Sequence, residues 1–134
     1  KKYESVTDAM TRVPSNLPSL LYAEKIQKLA KKSGFDWPSV DGALEKVIEE
    51  LEEVKNADRE HLEEECGDLL FAVVNVLRFY KVEPEIALRE ASVKFLRRFS
   101  GVEELVKKTG KDMKEFSLDE LDEFWNQVKK NENR

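Results

Sequence analysis

The spacing of apolar residues predicts helices along most of the chain. Apolar side chains recur every three or four positions, which places them on one face of a helix. Ser117 and Glu120 form a capping box, a common start for a helix. The pattern predicts five helices: 19–32, a second from Ser39 or Asp41 to about Val54, a third over about 59–80, a fourth over about 84–108, and a last one opened by Ser117. The predicted fold class is all-α.

Each predicted helix has an apolar stripe that we expect to be buried. The second helix has Leu44, Val47, Ile48, Leu51 and Val54, and the fourth has Leu88, Ala91, Phe95, Phe99 and Val102. Residues 69–77 of the third helix are apolar nearly all round, so that helix needs cover on several sides. We therefore predict a bundle of four main helices plus an N-terminal arm, dimerised through the second and third helices.

The two ends of the chain differ from this helical pattern. Residues 1–17 show no clean period and end in the breaker-rich VPSNLP, so we expect a linker or N-terminal arm there. The helical domain is expected over 18–130, followed by a tail at 131–134. The chain does not start with Met, and we expect the arm to be the trailing linker of a longer protein.

Composition narrows the classes of function. The net charge of −5 disfavours nucleic-acid binding through a general basic surface. No apolar run approaches the roughly 20 residues needed to span a bilayer, so no membrane partner is expected. The single cysteine, Cys66, excludes an intramolecular disulfide and suits a reducing compartment, which favours the cytoplasm.

Two acidic clusters are the strongest chemical signal in the sequence. Glu49, Glu50 and Glu53 lie on the predicted second helix, and Glu65 and Asp68 lie on the third. Residues three or four apart share a helix face, so these carboxylates can converge as ligands of Mg²⁺. The alternative is a solvated acidic face, which is the better interpretation of the second helix alone.

The third helix favours the metal interpretation. Asp68 begins a segment expected to be buried, where gathered like charges are costly unless a cation holds them. Asn75 lies two turns further along the same stripe. It could contact the metal site or be a satisfied amide in the core.

A basic pair on the fourth helix could complete a polyphosphate site. Lys94 and Arg98 lie four residues apart on one face. They could equally extend from the edge of the core into solvent. Carboxylates on one pair of helices and cations on another would suit a polyphosphate, with Mg²⁺ bridging the acids to phosphate oxygens. The position of Trp125 in the apolar stripe of the last helix predicts that it is a core residue.

At these residues the chain resembles the MazG family of all-α nucleoside triphosphate pyrophosphohydrolases. The motifs that carry the resemblance are AEKIQKLAKKSGFDW, EKVIEELEEVK, LEEECGDLLFAVVNVLR, ASVKFLRRF and LDEFW. The resemblance implies a dimeric enzyme that hydrolyses nucleoside triphosphates to a monophosphate and pyrophosphate with Mg²⁺, or Mn²⁺ as an alternative ion. It is strongest to the C-terminal domain of two-domain bacterial members, which implies an N-terminal MazG domain as a further partner.

The resemblance also assigns expected roles to individual residues. The chain departs from the family pattern in one respect: only eleven residues separate Glu53 from Glu65. This shortens the connection between the second and third predicted helices. The implied metal ligands are Glu50, Glu53, Glu65 and Asp68; Glu49 is an outer group or base, with Glu53 as the other candidate base; Lys46, Lys94 and Arg98 contact phosphate; Trp125 lies next to the nucleotide and Asn75 near the metal site.

Two other functions remain open from the sequence. A catalytically silent helical module with the MazG shape would serve dimerisation or regulation. A carboxylate redox bundle would need a Glu-x-x-His pair on each of two helices, and the only histidine, His61, does not supply this.

Overall fold

The computed structural model describes residues 4–133 and is helical, with no strand in that range. This confirms the all-α class. No helix in the described range is long and apolar enough to cross a bilayer. The helices are α1 Val6–Thr11, α2 Ser19–Lys32, α3 Val40–Asn56, α4 Leu62–Phe79, α5 Pro84–Thr109 and α6 Leu118–Glu132, with a 3₁₀ turn at Met113–Glu115 before α6.

The helix ends follow local side-chain chemistry. The Ser39 hydroxyl accepts from the Asp41 amide at 3.3 Å and caps α3, as predicted. The Ser117 and Glu120 capping box forms with both of its hydrogen bonds and opens α6. Gly34 ends α2 at a φ of 92°, a conformation that glycine adopts without steric cost.

Two elements differ from the prediction. α4 begins at Leu62 instead of near residue 59, because the Asp58 carboxylate accepts from the His61 amide at 3.0 Å and holds a turn before the helix. The expected arm contains the short helix α1, which the irregular apolar spacing there did not reveal. Ser5 caps it by accepting from the Asp8 amide at 3.0 Å.

The chain forms two compact units that divide between Ala87 and Leu88. In the first unit, α3 and α2 both pack on α4, and α1 packs on α2. Its buried apolar residues are Ala43, Ala72, Val74 and Val76. In the second unit, α5 buries Val102 and Val106, and the Phe95 and Trp125 rings lie 5.4 Å apart.

The expected burial of the apolar stripe on α3 is wrong for most of its length. Ile48 is 63% exposed, Leu51 51% and Leu44 39%, whereas the acidic residue Glu50 is only 7% exposed. The side of α3 that packs against the first unit carries its two buried residues, Ala43 and Glu50, and the more apolar side is left uncovered. Part of the polar face of α3, which the sequence predicts to lie in solvent, is therefore packed against the rest of the first unit.

The apolar residues of α4 and α5 are also less covered than expected. Leu70, Phe71 and Val73 are exposed around the buried Ala72 and Val74, and Asp68 itself is exposed. On α5, Leu88, Phe95 and Phe99 are exposed while Val102 is buried as predicted. A single chain does not contain enough packed elements to cover helices that are apolar on several sides.

Two helical glycines provide a matched test of the packing around Trp37. A Cβ on Gly42 would lie 2.8 Å from the Trp37 ring, so we expect Gly42→Ala to displace the indole and destabilise the protein by about 1–2 kcal/mol. A Cβ on Gly67 would meet nothing within 4 Å, so Gly67→Ala should stabilise it by about 0.5–1 kcal/mol. Urea unfolding followed by circular dichroism measures both. Equal effects of the two substitutions would contradict this packing.

Candidate active site

Three carboxylates converge where α3 packs along α4. One oxygen from each of Glu50, Glu65 and Asp68 lies within 4.8 Å of the others. Glu50 comes from α3, and Glu65 and Asp68 lie one turn apart on α4, so their convergence follows from the pairing of the two helices. Three of the four predicted ligands are thus brought together. Glu53 is exposed and is not among the three converging groups.

The charges in this cluster act on one another. Desolvation raises the pKa of the Glu65 carboxyl, and the charges of Glu53, Asp68 and Glu50 raise it further. Glu53 is therefore close enough to act on the cluster electrostatically. A group of like charges with a raised pKa favours binding of a cation.

Lys46 supplies a positive charge beside the cluster. Its ammonium lies 3.2 Å from Oε1 of Glu50 and 3.4 Å from a carboxylate oxygen of Glu49. The hydrogen bond to Glu50 is the main cause of the raised pKa of Lys46. Glu49 is 59% exposed on the outer side of this pair.

The donor set fits a divalent cation. Oε2 of Glu50 is buried and has no hydrogen-bond partner among residues 4–133. A buried carboxylate oxygen without a hydrogen-bond partner is costly. The nearby carboxylates of Glu65 and Asp68 add further negative charge at the same place. Mg²⁺ and Mn²⁺ prefer such oxygen ligands. The residues at this site therefore suit one of these ions.

Repulsion within the cluster should be measurable without any metal. We expect Asp68→Asn to raise the free energy of unfolding in EDTA by about 0.5 kcal/mol, because it removes one of the converging like charges. Asp41→Asn, also an acid-to-amide change but at the start of α3, should not stabilise. Urea unfolding at pH 7 tests both. A destabilised Asp68→Asn protein would show that the carboxylates do not repel one another in the folded state.

A cavity of about 850 Å³ opens beside the acidic cluster. It is bounded by α2, α3, α4, the loop between α2 and α3, and Met10 of α1. Its lining includes four predicted site residues, Lys46, Glu50, Asp68 and Asn75. It also includes the aromatic residues Phe35, Trp37 and Phe71. Carboxylates, a cation and aromatic rings thus line one cavity, which suits a ligand with both a charged and a flat apolar part.

A buried ion pair fixes the loop that carries Phe35 and Trp37. The Arg78 guanidinium, 7% exposed, donates to both oxygens of Asp36 at 2.6 and 3.1 Å. Burial alone would raise the pKa of Asp36, but the hydrogen bonds from Arg78 and from the Trp37 backbone, together with the charges of Arg78 and Lys31, outweigh it and hold the pKa below its ordinary value. Arg78 Nε also donates to Asn75 Oδ1 at 2.8 Å. Asn75 therefore supports this network as well as lining the cavity.

Sequence reasoning missed three polar residues of the cavity lining. Gln27, Asp36 and Arg78 all contribute to it. Gln27 lies on α2 in the apolar stripe between Ala23 and Ala30, and that position was the available signal, because a polar residue in such a stripe usually has a specific partner. No comparable signal joined Asp36 to Arg78, which is 42 residues away.

The remaining predicted residues belong to the second unit. Arg98 on α5 donates to the Glu132 carboxylate of α6 at 3.1 Å, and its guanidinium lies 5.9 Å from the centre of the Trp125 ring. Trp125 is half-buried and contacts Phe95. Lys94 is exposed on α5. Hydrogen bonds from Arg98 are the main cause of the lowered pKa of Glu132.

The acidic cluster and its helices define a known class of domain. Residues 39–106 match the family model of the MazG nucleotide pyrophosphohydrolase domain, and the chain belongs to this family. The matched region contains the acidic cluster, Lys46, Asn75, Lys94 and Arg98.

Individual relatives resemble the chain beyond this region. It is 48% identical over 114 residues to the nucleoside triphosphate pyrophosphohydrolase/pyrophosphatase MazG of Thermotoga maritima, covering 84% of the chain and 45% of the relative. It is 43% identical over 130 residues to the nucleoside triphosphate pyrophosphohydrolase of Escherichia coli K12, covering 92% and 49%. The uncharacterized protein YabN of Bacillus subtilis is 47% identical over 139 aligned positions, covering 100% and 28%. The chain spans about half the length of the first two relatives.

Proposed function

We propose that the chain hydrolyses nucleoside triphosphates between the α and β phosphates, giving a nucleoside monophosphate and pyrophosphate. The observation that carries the proposal is the cluster of Glu50, Glu65 and Asp68, with an orphaned buried oxygen on Glu50, beside the 850 Å³ cavity. The names of the Thermotoga maritima and Escherichia coli relatives support the same activity.

The side chains around the cavity have distinct roles in this proposal. Glu50, Glu65 and Asp68 would hold Mg²⁺, or Mn²⁺ in its place, and Glu53 would complete the ligand set from the edge. A bound divalent ion supplies charge neutralisation for the phosphates and lowers the pKa of a coordinated water. Lys46 would exchange its contact with Glu50 for a phosphate oxygen. Glu49 or Glu53 would accept the proton of the attacking water.

Three residues of the second unit are proposed as further substrate contacts. Lys94 and Arg98 would neutralise charge on the triphosphate, and Trp125 would pack near the nucleotide. Arg98 donates a hydrogen bond to Glu132 at 3.1 Å. To contact the triphosphate, its guanidinium would have to share that hydrogen bond or release it. In the first unit, Asn75 would help to shape the cavity near the metal.

Pyrophosphate release tests the proposed activity directly. The protein should release pyrophosphate from at least one member of a panel of NTPs and dNTPs in Mg²⁺, and none in excess EDTA. Replacing Mg²⁺ by Mn²⁺ should restore release after EDTA is removed. If a folded protein releases no pyrophosphate from any nucleotide with either ion, the catalytically silent helical module becomes the better account.

We also propose that two copies of the chain associate through α3 and α4. Leu44, Ile48 and Leu51 are exposed on one face of α3, and Leu70 is exposed on α4, so a second copy would cover apolar side chains of both helices. We expect the wild type to sediment as a dimer and Ile48→Lys to shift it to monomer. Analytical ultracentrifugation measures this, with the exposed Glu45→Lys on the same helix as control. A wild type that is monomeric at tens of micromolar would contradict the proposal.

The wider setting of the chain follows from the same proposal. We propose residues 18–130 as the catalytic domain, 1–17 as an arm that joins it to an N-terminal MazG domain, and 131–134 as a tail whose first two residues, Asn131 and Glu132, form the end of α6. The greater length of the relatives supports a longer parent protein. Free nucleotides and Mg²⁺ as substrate and ion favour the cytoplasm.

A further inference from the structure

The cavity beside the acidic cluster has one wall that does not belong to the predicted helical domain. Met10 of α1 is part of the lining, although the sequence indicates only a linker or arm over residues 1–17. The Met10 side chain is half-buried, and α1 contains no fully buried residue. The segment before the domain therefore reaches the candidate site through one apolar side chain.

The helix that carries Met10 has little stability of its own. α1 has six residues, and isolated helices shorter than about 12 residues are marginal in water. Its position depends on packing against α2. An element with few buried contacts opens at a much lower free energy than the core of the same unit. We therefore expect α1 to leave α2 while the rest of the first unit stays folded.

The connection between α1 and α2 permits such a movement. It contains Pro14 and Pro18, which have no amide hydrogen to bond with a neighbouring element. The Leu17 amide donates to the Pro14 oxygen at 3.4 Å, which is long for a hydrogen bond. α2 begins only at Ser19. A change in the position of α1 can therefore be absorbed before α2 begins.

The chemistry of Met10 suits contact with a ligand in the cavity. A thioether side chain is flexible and polarizable and packs well against flat groups. In the structure Met10 lines the cavity while α1 is packed on α2. A ligand that fills the cavity gains this contact only when α1 is in that position. Binding of the ligand therefore favours the closed position of α1.

We propose that α1 is a lid on the cavity, which opens to admit the nucleotide and closes over it through Met10. This inference rests on the proposed function for the presence of a nucleotide. Met10 has no charged group that could act on the phosphates, so its contact is the same before and during hydrolysis. A contact of that kind lowers KM and leaves kcat unchanged.

Substitution of Met10 tests the contact in the active protein. Met10→Ala should raise KM by about 5- to 10-fold and leave kcat within about twofold of the wild type. Met10→Leu, which conserves the volume, should keep KM within about twofold. Val6→Ala, one turn earlier on α1 and outside the cavity lining, should also leave KM unchanged. An unchanged KM in Met10→Ala, or an equal rise in Val6→Ala, would overturn the proposal.

Thiol labelling measures the movement of α1 without hydrolysis. Met10→Cys and Val6→Cys are each made together with Cys66→Ser, which removes the native thiol. The nucleotide probes are the α,β-methylene analogues of ATP, GTP, CTP and UTP with Mg²⁺, which cannot be cleaved between the α and β phosphates. Saturating analogue should slow the reaction of Met10→Cys with iodoacetamide by at least ~10-fold, because the lid opens less often. The reaction of Val6→Cys should slow less.

The two experiments separate this inference from the proposed activity. A protein that releases pyrophosphate, but whose Met10→Cys thiol reacts equally fast with and without analogue, keeps the proposed function and rejects the lid. Protection of Met10→Cys by an analogue in a protein that hydrolyses no nucleotide supports the lid and rejects the activity. Equal protection of Val6→Cys and Met10→Cys would indicate a general tightening of the fold and would also reject the lid.

Discussion

Replacing Glu50 by glutamine is expected to reduce metal-dependent pyrophosphate release by at least ~100-fold. Even residues that only support metal ligands typically cost 10- to 100-fold when they are changed, so a ligand should cost at least as much. Glutamine keeps the volume of the side chain and an oxygen for Lys46, which lies 3.2 Å from Glu50 Oε1. It removes the negative charge that the orphaned Oε2 would offer to Mg²⁺. Initial rates at saturating nucleotide and Mg²⁺ measure the effect.

The matched control for this substitution lies two residues away. Glu52 is exposed on α3 and is absent from the acidic cluster. Glu52→Gln makes the same change in net charge on the same helix, so its activity should stay within about twofold of the wild type. If Glu50→Gln retains more than a tenth of the wild-type rate while remaining folded, Glu50 is not a ligand needed for the reaction.

Replacing Arg78 by methionine is expected to destabilise the protein by about 3–5 kcal/mol. The substitution leaves the Asp36 carboxylate largely buried without its partner, and an unpaired buried charge carries a penalty of that size. Asn75 also loses the donor to its Oδ1. Urea unfolding at pH 7 measures the change, with the exposed Arg89→Met as a control expected within about 0.5 kcal/mol of the wild type.

Acid pH and a double substitution test the cause of that loss. The folded protein holds the pKa of Asp36 below 3.8, so this pair contributes stability above pH 3.8 and loses it as the pH falls through the folded pKa. The difference between wild type and Arg78→Met should therefore narrow below about pH 4. Combining Asp36→Asn with Arg78→Met should recover part of the stability at pH 7. A difference that is independent of pH, with no recovery, would point to lost packing alone.

The helices were predictable because their signals are local. Apolar spacing and the caps at Ser39 and Ser117 depend on residues within a few positions of each other, and the structure follows them. The burial of α3 was not predictable in the same way. A helical wheel assumes that the most apolar face is covered by the same chain, whereas α3 packs Glu50 inward and leaves Ile48 exposed.

In the candidate site, too, the contacts that follow from local spacing were predictable, and the contacts between distant residues were not. The convergence of Glu50, Glu65 and Asp68 followed from residues one turn apart on two helices that are neighbours in sequence. The pairing of Asp36 with Arg78 joins a loop to a helix 42 residues later, and no spacing rule reports such a contact. The hydrogen bond from Gln27 to the backbone of Phe71 was hidden for the same reason, since its acceptor is 44 residues away and carries no side-chain signal.

The products formed from a nucleotide test the central claim most directly. Phosphorus NMR of an equimolar mixture of ATP, GTP, CTP and UTP, incubated with the protein and Mg²⁺, resolves the two possible cleavage positions. We predict signals of nucleoside monophosphate and pyrophosphate, absent when EDTA replaces Mg²⁺ and absent with Glu50→Gln. Nucleoside diphosphate with inorganic phosphate, or an unchanged mixture in the presence of folded protein and Mg²⁺, would contradict the proposal.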